Sequence, residues 1–172
     1  MKKFFFVCFL FLCSEIFSVS LPTGFRGIVL GMSFDEVEAI LQKDFLFGYR
    51  GQRDISLLPT DNRLLIETKG NSFLSQCSFQ FYEDKLYTII LTCNPQKMDY
   101  YSLYQTMSDK YGQENYLDTE KIVWENESVI ISLERPVSMK YVDKKVFEGL
   151  KKSEEVQKTG EEILRKQFLE SF

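Results

Sequence analysis

Residues 73–93 read FLSQCSFQFYEDKLYTIILTC, and this stretch decides the fold. In Cys77, Phe79 and Phe81 every second residue is apolar, with Ser78, Gln80 and Tyr82 between them. That is the period of a strand with one buried face. Glu83-Asp84-Lys85 turns the chain, and residues 86–93 return as a second strand rich in β-formers. A tight turn puts Cys77 opposite residues near 90 or 91 and leaves Cys93 as its diagonal neighbour.

Working outward, Arg63 to Thr68 also looks extended. Ahead of it lies a helix. Ser33 and Glu36 form an S-x-x-E capping box, and Phe34, Val37, Ile40 and Leu41 recur at helical spacing. After Asn94-Pro95 a second helix starts at Asp99, with Tyr100, Leu103, Tyr104, Met107 and Tyr111 as its apolar stripe and Gly112 as its stop. Residues 121–124 and 129–134 make a second hairpin, and 139–142 one further strand. Residues 33–45 align without gaps on 99–111, each with a capping residue first and a hairpin to follow. The expected fold class is therefore α+β: two helix-plus-β-hairpin repeats, about 28–96 and 97–143, forming one antiparallel sheet with both helices on a single face. From residue 144 the chain is charged, with Val156, Ile163, Leu164, Phe168 and Phe172 at helical spacing. This 144–172 tail reads as one or two amphipathic helices, packed on the domain or kept for a partner.

The start of the chain speaks to location. Lys2 and Lys3, an apolar run over 4–12 and Ser18-Val19-Ser20 have the order of a secretory signal peptide, with Leu21 the first mature residue. The run is too short to span a bilayer. Cleavage after Ser20 makes the protein periplasmic or secreted. Cys13 is a weaker lipidation site, because the Leu12 before it is not small. The net charge of −4 argues against a general affinity for nucleic acid. In an oxidising compartment Cys77 and Cys93 could bridge, or they could remain two small buried hydrophobes.

Chemistry is thinly represented. The chain has no histidine, which removes His-based nucleophile systems and histidine metal sites. No phosphate-binding glycine loop, nucleophile elbow, C-x-x-C or calcium loop occurs, so no cofactor and no metal are expected. The acid pairs Asp35/Glu36, Glu83/Asp84 and Glu125/Glu127 fall at a helix start or at turns, where acids serve as caps and solvated residues. Recognition residues are sought instead: Arg50 and Arg53 in the irregular 46–62 loop, Tyr101 off the stripe of the second helix, Arg135 at a strand end, and Phe168 in the tail.

Gly31-Met32-Ser33, followed by Glu36, Val37 and Leu41, is similar to the G-M-[ST]-x-x-[EQ]-V-x-x-x-L opening of SmpA/OmlA-type envelope proteins. Lys110-Tyr111-Gly112 with Trp124 downstream resembles the K-Y-G…W pattern of many exported bacterial domains. Those proteins, with the β-lactamase-inhibitory-protein-like (BLIP-like) domains, are helix-plus-sheet modules that bind other proteins outside the cytoplasm. The resemblance implies a non-enzymatic domain whose partner is an envelope protein or component. The alternative is a lipid or small apolar-ligand carrier, whose pocket would be lined by Phe79, Phe81, Ile89, Ile90 and Met107.

Overall fold

The computed structural model describes residues 20–57 and 63–170. Nearly all of the expected leader, Cys13 with it, lies outside the described residues, as do 58–62 of the irregular loop and Phe172. A small hairpin, β1 (Gly24–Phe25) and β2 (Ile28–Val29), precedes helix α1 (Phe34–Leu41). Four strands follow: β3 (Ile55–Leu57), β4 (Arg63–Thr68), β5 (Leu74–Tyr82) and β6 (Lys85–Cys93). Helix α2 (Tyr100–Tyr111) then introduces β7 (Tyr116–Leu117), β8 (Lys121–Glu125), β9 (Val129–Glu134) and β10 (Ser138–Asp143), and α3 (Lys144–Glu170) closes the chain.

The eight strands β3–β10 form one antiparallel sheet in the order β3-β4-β5-β6-β10-β9-β8-β7. The order is that of two α-plus-four-strand units meeting through their last strands, β6 and β10. Both expected hairpins, β5–β6 and β8–β9, are present, and further strands flank them. The turn of the first holds Glu83 and Asp84 at φ 49° and 58°, the left-handed pair that a two-residue hairpin turn requires. Register follows: Cys77 faces Leu91 and Phe79 faces Ile89.

One row runs across the sheet through Ile55, Ile66, Phe79, Ile89, Tyr141, Ile131 and Trp124, each the register partner of the next. Ile66, Phe79, Ile89, Ile131, Trp124 and Tyr141 in this row are buried, and α1 and α2 cover them. Phe34 of α1 lies 5.6 Å from Phe81, and Tyr104 of α2 lies 6.3 Å from Trp124, measured between ring centroids. The Trp124 indole N–H donates to the Gly112 carbonyl at 3.0 Å, and Tyr111 meets the same ring edge-on at 6.0 Å. The K-Y-G…W pattern is thus the lock between the end of α2 and β8.

The helix starts are built as the sequence implies. The Ser33 backbone N–H donates to Glu36 Oε2 at 2.8 Å, and Asp99 accepts from the Ser102 N–H at 2.9 Å. The backbone N–H of Ser33 holds Glu36 below the usual carboxylate range, and the Ser102 bonds do the same for Asp99. Arg26, 2.6 Å from Asp44, lowers that acid too. A carboxyl lowered on folding stabilises the fold above its unfolded pKa, and that contribution is lost as pH falls through the folded value. The thermal midpoint, followed by circular dichroism, is therefore expected to be level near neutrality and to fall below about pH 4. A midpoint unchanged down to about pH 2 would contradict these assignments.

Candidate functional site

The sheet has a second face, made of the residues that alternate with the buried row. Gln80, Thr88, Val142 and Ile130 form one line across it, each the register partner of the next. Ile90, Lys140, Ser132 and Val123 form the line beside it, and Thr92, Ser138, Glu134 and Lys121 a third. Ten of these residues and Phe147 of α3 line a groove of about 380 Å³. The groove crosses the β6–β10 seam, so both halves of the chain build it.

Its surface alternates aliphatic and polar groups. Ile90, Val123, Ile130 and Val142 supply the apolar area. Between them, Lys140 Nζ meets both oxygens of Glu134, at 3.0 and 3.1 Å, and the Ser132 hydroxyl donates to Glu134 Oε1 at 2.8 Å. Burial pushes the Glu134 carboxyl up, but Ser132, Lys140 and Lys121 outweigh it and hold the group below its ordinary value. An ionised carboxylate whose two oxygens are already engaged is a poor general base. Nearby, the Tyr87 hydroxyl donates to Gln80 Oε1 at 3.0 Å, and Thr92 and Ser138 share a 2.9 Å hydrogen bond. Side chains fixed this way lose little further freedom when a ligand covers them.

The residues sought from sequence sit elsewhere, on separate elements. Arg50 donates through its backbone N–H and guanidinium to Asp54, whose side chain is fully buried. The described part of the loop, residues 46–57, is a folded corner. Two 3₁₀ turns, Phe45–Phe47 and Gly51–Asp54, shape it, and Phe47 is wholly buried. Arg53 is exposed on the second turn. Tyr101 is 64 % exposed on the outer side of α2, where Gln105 donates to its hydroxyl. Arg135 is exposed, with its Nε donating to the Thr119 carbonyl at 2.7 Å and its guanidinium 4.5 Å from the centre of the Tyr100 ring. Phe168 is exposed near the end of α3. The five do not converge on one site.

Cys77 and Cys93 are free and buried, so the bridge the sequence allowed is not formed in the structure. Leu91, not Cys93, stands across from Cys77. Burial raises both thiols, Cys77 to about 11, which suits packed side chains rather than reactive ones. The five residues expected to line a carrier pocket divide between the two faces. Phe79, Phe81, Ile89 and Met107 are buried on the helix-covered face, whereas Ile90 lines the open groove. Among the described residues no group of three acids or cysteines could hold a metal ion, and no helix is long and apolar enough to cross a membrane.

The open-face residues were missed because strand parity shows only which residues alternate. Which strands adjoin is set by tertiary pairing. The signal was present in Lys121-x-Val123, Ile130-x-Ser132-x-Glu134 and Ser138-x-Lys140-x-Val142, the parity opposite to the core. In comparisons with known proteins, the TP0088 domain model matches residues 23–153. No curated protein and no solved structure matches the chain.

Proposed function

The chain belongs to the TP0088 domain family, and we propose that it is an exported, non-enzymatic binding module whose open sheet face docks a protein of the cell envelope. The observation that carries this reading is the groove over the β6–β10 seam. There, Ile90, Val123, Ile130 and Val142 flank one side of a hydrogen-bonded Ser132–Glu134–Lys140 cluster. Apolar area interspersed with fixed hydrogen-bonding groups is the make-up of protein recognition surfaces. Export rests on the order of basic, apolar and small residues over 1–20. The likeness to SmpA/OmlA-type domains points the same way.

The test replaces one groove residue. Ile130→Lys puts a charge among the aliphatic groups, opposite Glu125, which can pair with it across the strands. The expected result is an unchanged thermal midpoint and loss of the protein that the wild-type chain, made without residues 1–20, cross-links in its own cell envelope. Gln105→Lys, on the outer side of α2, should keep that partner. Capture by Ile130→Lys at the wild-type level would remove the open face from the proposal. Recovery of lipid alone, with no protein, would favour the carrier.

A further inference from the structure

Three loops meet at one end of the sheet, where α1 stops, β4 turns into β5 and β6 leads into α2. Hydrogen bonds tie them together. The Asn71 side chain donates to the Phe45 carbonyl at 2.7 Å, and its backbone N–H donates to the Leu46 carbonyl at 2.8 Å. The Asn94 N–H donates to the Phe73 carbonyl at 2.8 Å, and the Lys97 N–H to the Asn94 carbonyl at 2.9 Å. Lys43, Phe45 and Asn71 border one hollow of about 360 Å³.

This corner turns apolar rings outward. Phe45 is 81 % exposed and Phe73 is 51 % exposed. Each loop also presents an exposed lysine: Lys43, Lys69 and Lys97. The acids of the same loops are Asp44, which pairs with Arg26, and Asp99, which caps α2. Glu67, next along β4, has Gln76 as its neighbour on the open side of the sheet. The corner is thus cationic on a chain whose net charge is −4. Charges more than about 8–10 Å away are screened at physiological salt, so the local sign decides what approaches.

We infer that this corner docks the domain on an anionic phospholipid surface, with Phe45 and Phe73 entering the headgroup layer and Lys43, Lys69 and Lys97 pairing with lipid phosphate. A protein interface centres on a continuous apolar core, whereas these rings stand on separate loops among polar residues. A lipid surface has no fixed shape to match. It accepts separate rings at one level, while lysine stems lie along the lipid and their ammonium groups stay at the phosphates. The inference concerns one end of the sheet and does not depend on what the open face binds.

Vesicle co-sedimentation of the chain made without residues 1–20 tests it. Vesicles with about one third phosphatidylglycerol in phosphatidylcholine should bind at least about tenfold tighter than phosphatidylcholine alone, and less tightly as salt rises. Lys43→Gln, Lys69→Gln and Lys97→Gln should each cost about fivefold. Phe45→Ser combined with Phe73→Ser should cost at least about tenfold, with the thermal midpoint unchanged because both rings are exposed. Fluorescence reads insertion. Phe73→Trp should shift to shorter wavelength on adding these vesicles, over a constant background from Trp124, which is 1 % exposed. No binding at about 1 mM of the anionic lipid, or no shift at position 73, would overturn the inference. So would a shift in Leu164→Trp instead, which would put the tail in the membrane, or a photo-crosslinker at position 45 that captures protein and no lipid. None of these results bears on capture of an envelope protein through Ile130, so the two proposals fail separately.

Discussion

Trp124→Ala is expected to lower the free energy of unfolding by about 3–5 kcal/mol, a large share of what a domain of this size holds. The side chain is 1 % exposed, so truncation opens a cavity the size of an indole. It does more than that. Tyr104 and Tyr111 of α2 lose the ring they pack on, and the Gly112 carbonyl loses its donor. Loss of that hydrogen bond adds about 0.5–1.5 kcal/mol, because Gly112 is exposed and water can reach its carbonyl. Trp124→Phe separates the two contributions, since it keeps most of the ring contact and removes the N–H. Urea unfolding should place Trp124→Phe between the wild type and Trp124→Ala. Equal midpoints for Trp124→Phe and the wild type would mean that the Gly112 bond contributes nothing.

Gly48→Ala should cost at least about 2 kcal/mol, more than its single methyl group suggests. Gly48 sits at φ 62°, in the left-handed region, and a Cβ there would stand 2.0 Å from the Lys69 carbonyl oxygen. That neighbour is backbone and is held in place. Asn71 donates to the Phe45 carbonyl through its side chain, at 2.7 Å, and to the Leu46 carbonyl through its backbone, at 2.8 Å. Relief of the clash has to move the turn that seats Phe47 between Phe25 and Phe79. Gly27→Ala is the control. Gly27 has φ 84° but nothing within 4 Å of its missing Cβ, so only the conformational cost of about 1 kcal/mol applies. Equal losses for the two variants, measured by urea unfolding, would show that the corner yields.

These two sites mark how far the sequence could be read. Trp124 and Lys110-Tyr111-Gly112 stand out as residues, and the capping box, the β5–β6 hairpin and the α2 stop follow from local spacing alone. Local rules govern such features, so they are legible. The corner around Gly48 is not, because Phe47 and Asp54 are buried by contacts with β4, β5 and Arg50 rather than by any period of their own. A segment rich in Gly, Arg, Asp and Ser looks like a mobile loop until its long-range partners are known. The edge strands β3 and β7, three and two residues long, are too short to show alternation.

The candidate site was illegible for a related reason. Arg50, Tyr101 and Arg135 were sought because large polar or aromatic residues off a core stripe resemble contact residues. Arg50 and Arg135 also bond within the chain, to Asp54 and to Thr119 and Tyr100. The open face consists of ordinary strand residues, and it becomes one surface only when β6 pairs with β10. That pairing joins segments almost fifty residues apart, and neither carries a mark of the other.

The most direct test of the binding account places a photo-crosslinking amino acid at Ile130 in one variant and at Gln105 in another, both expressed in the native cell with residues 1–20 in place. Ile130 lines the groove, and Gln105 lies on the outer side of α2. The account predicts one discrete protein adduct in the envelope fraction from position 130 and none from position 105. An adduct from position 105 alone, or an adduct at position 130 containing only lipid, would contradict it.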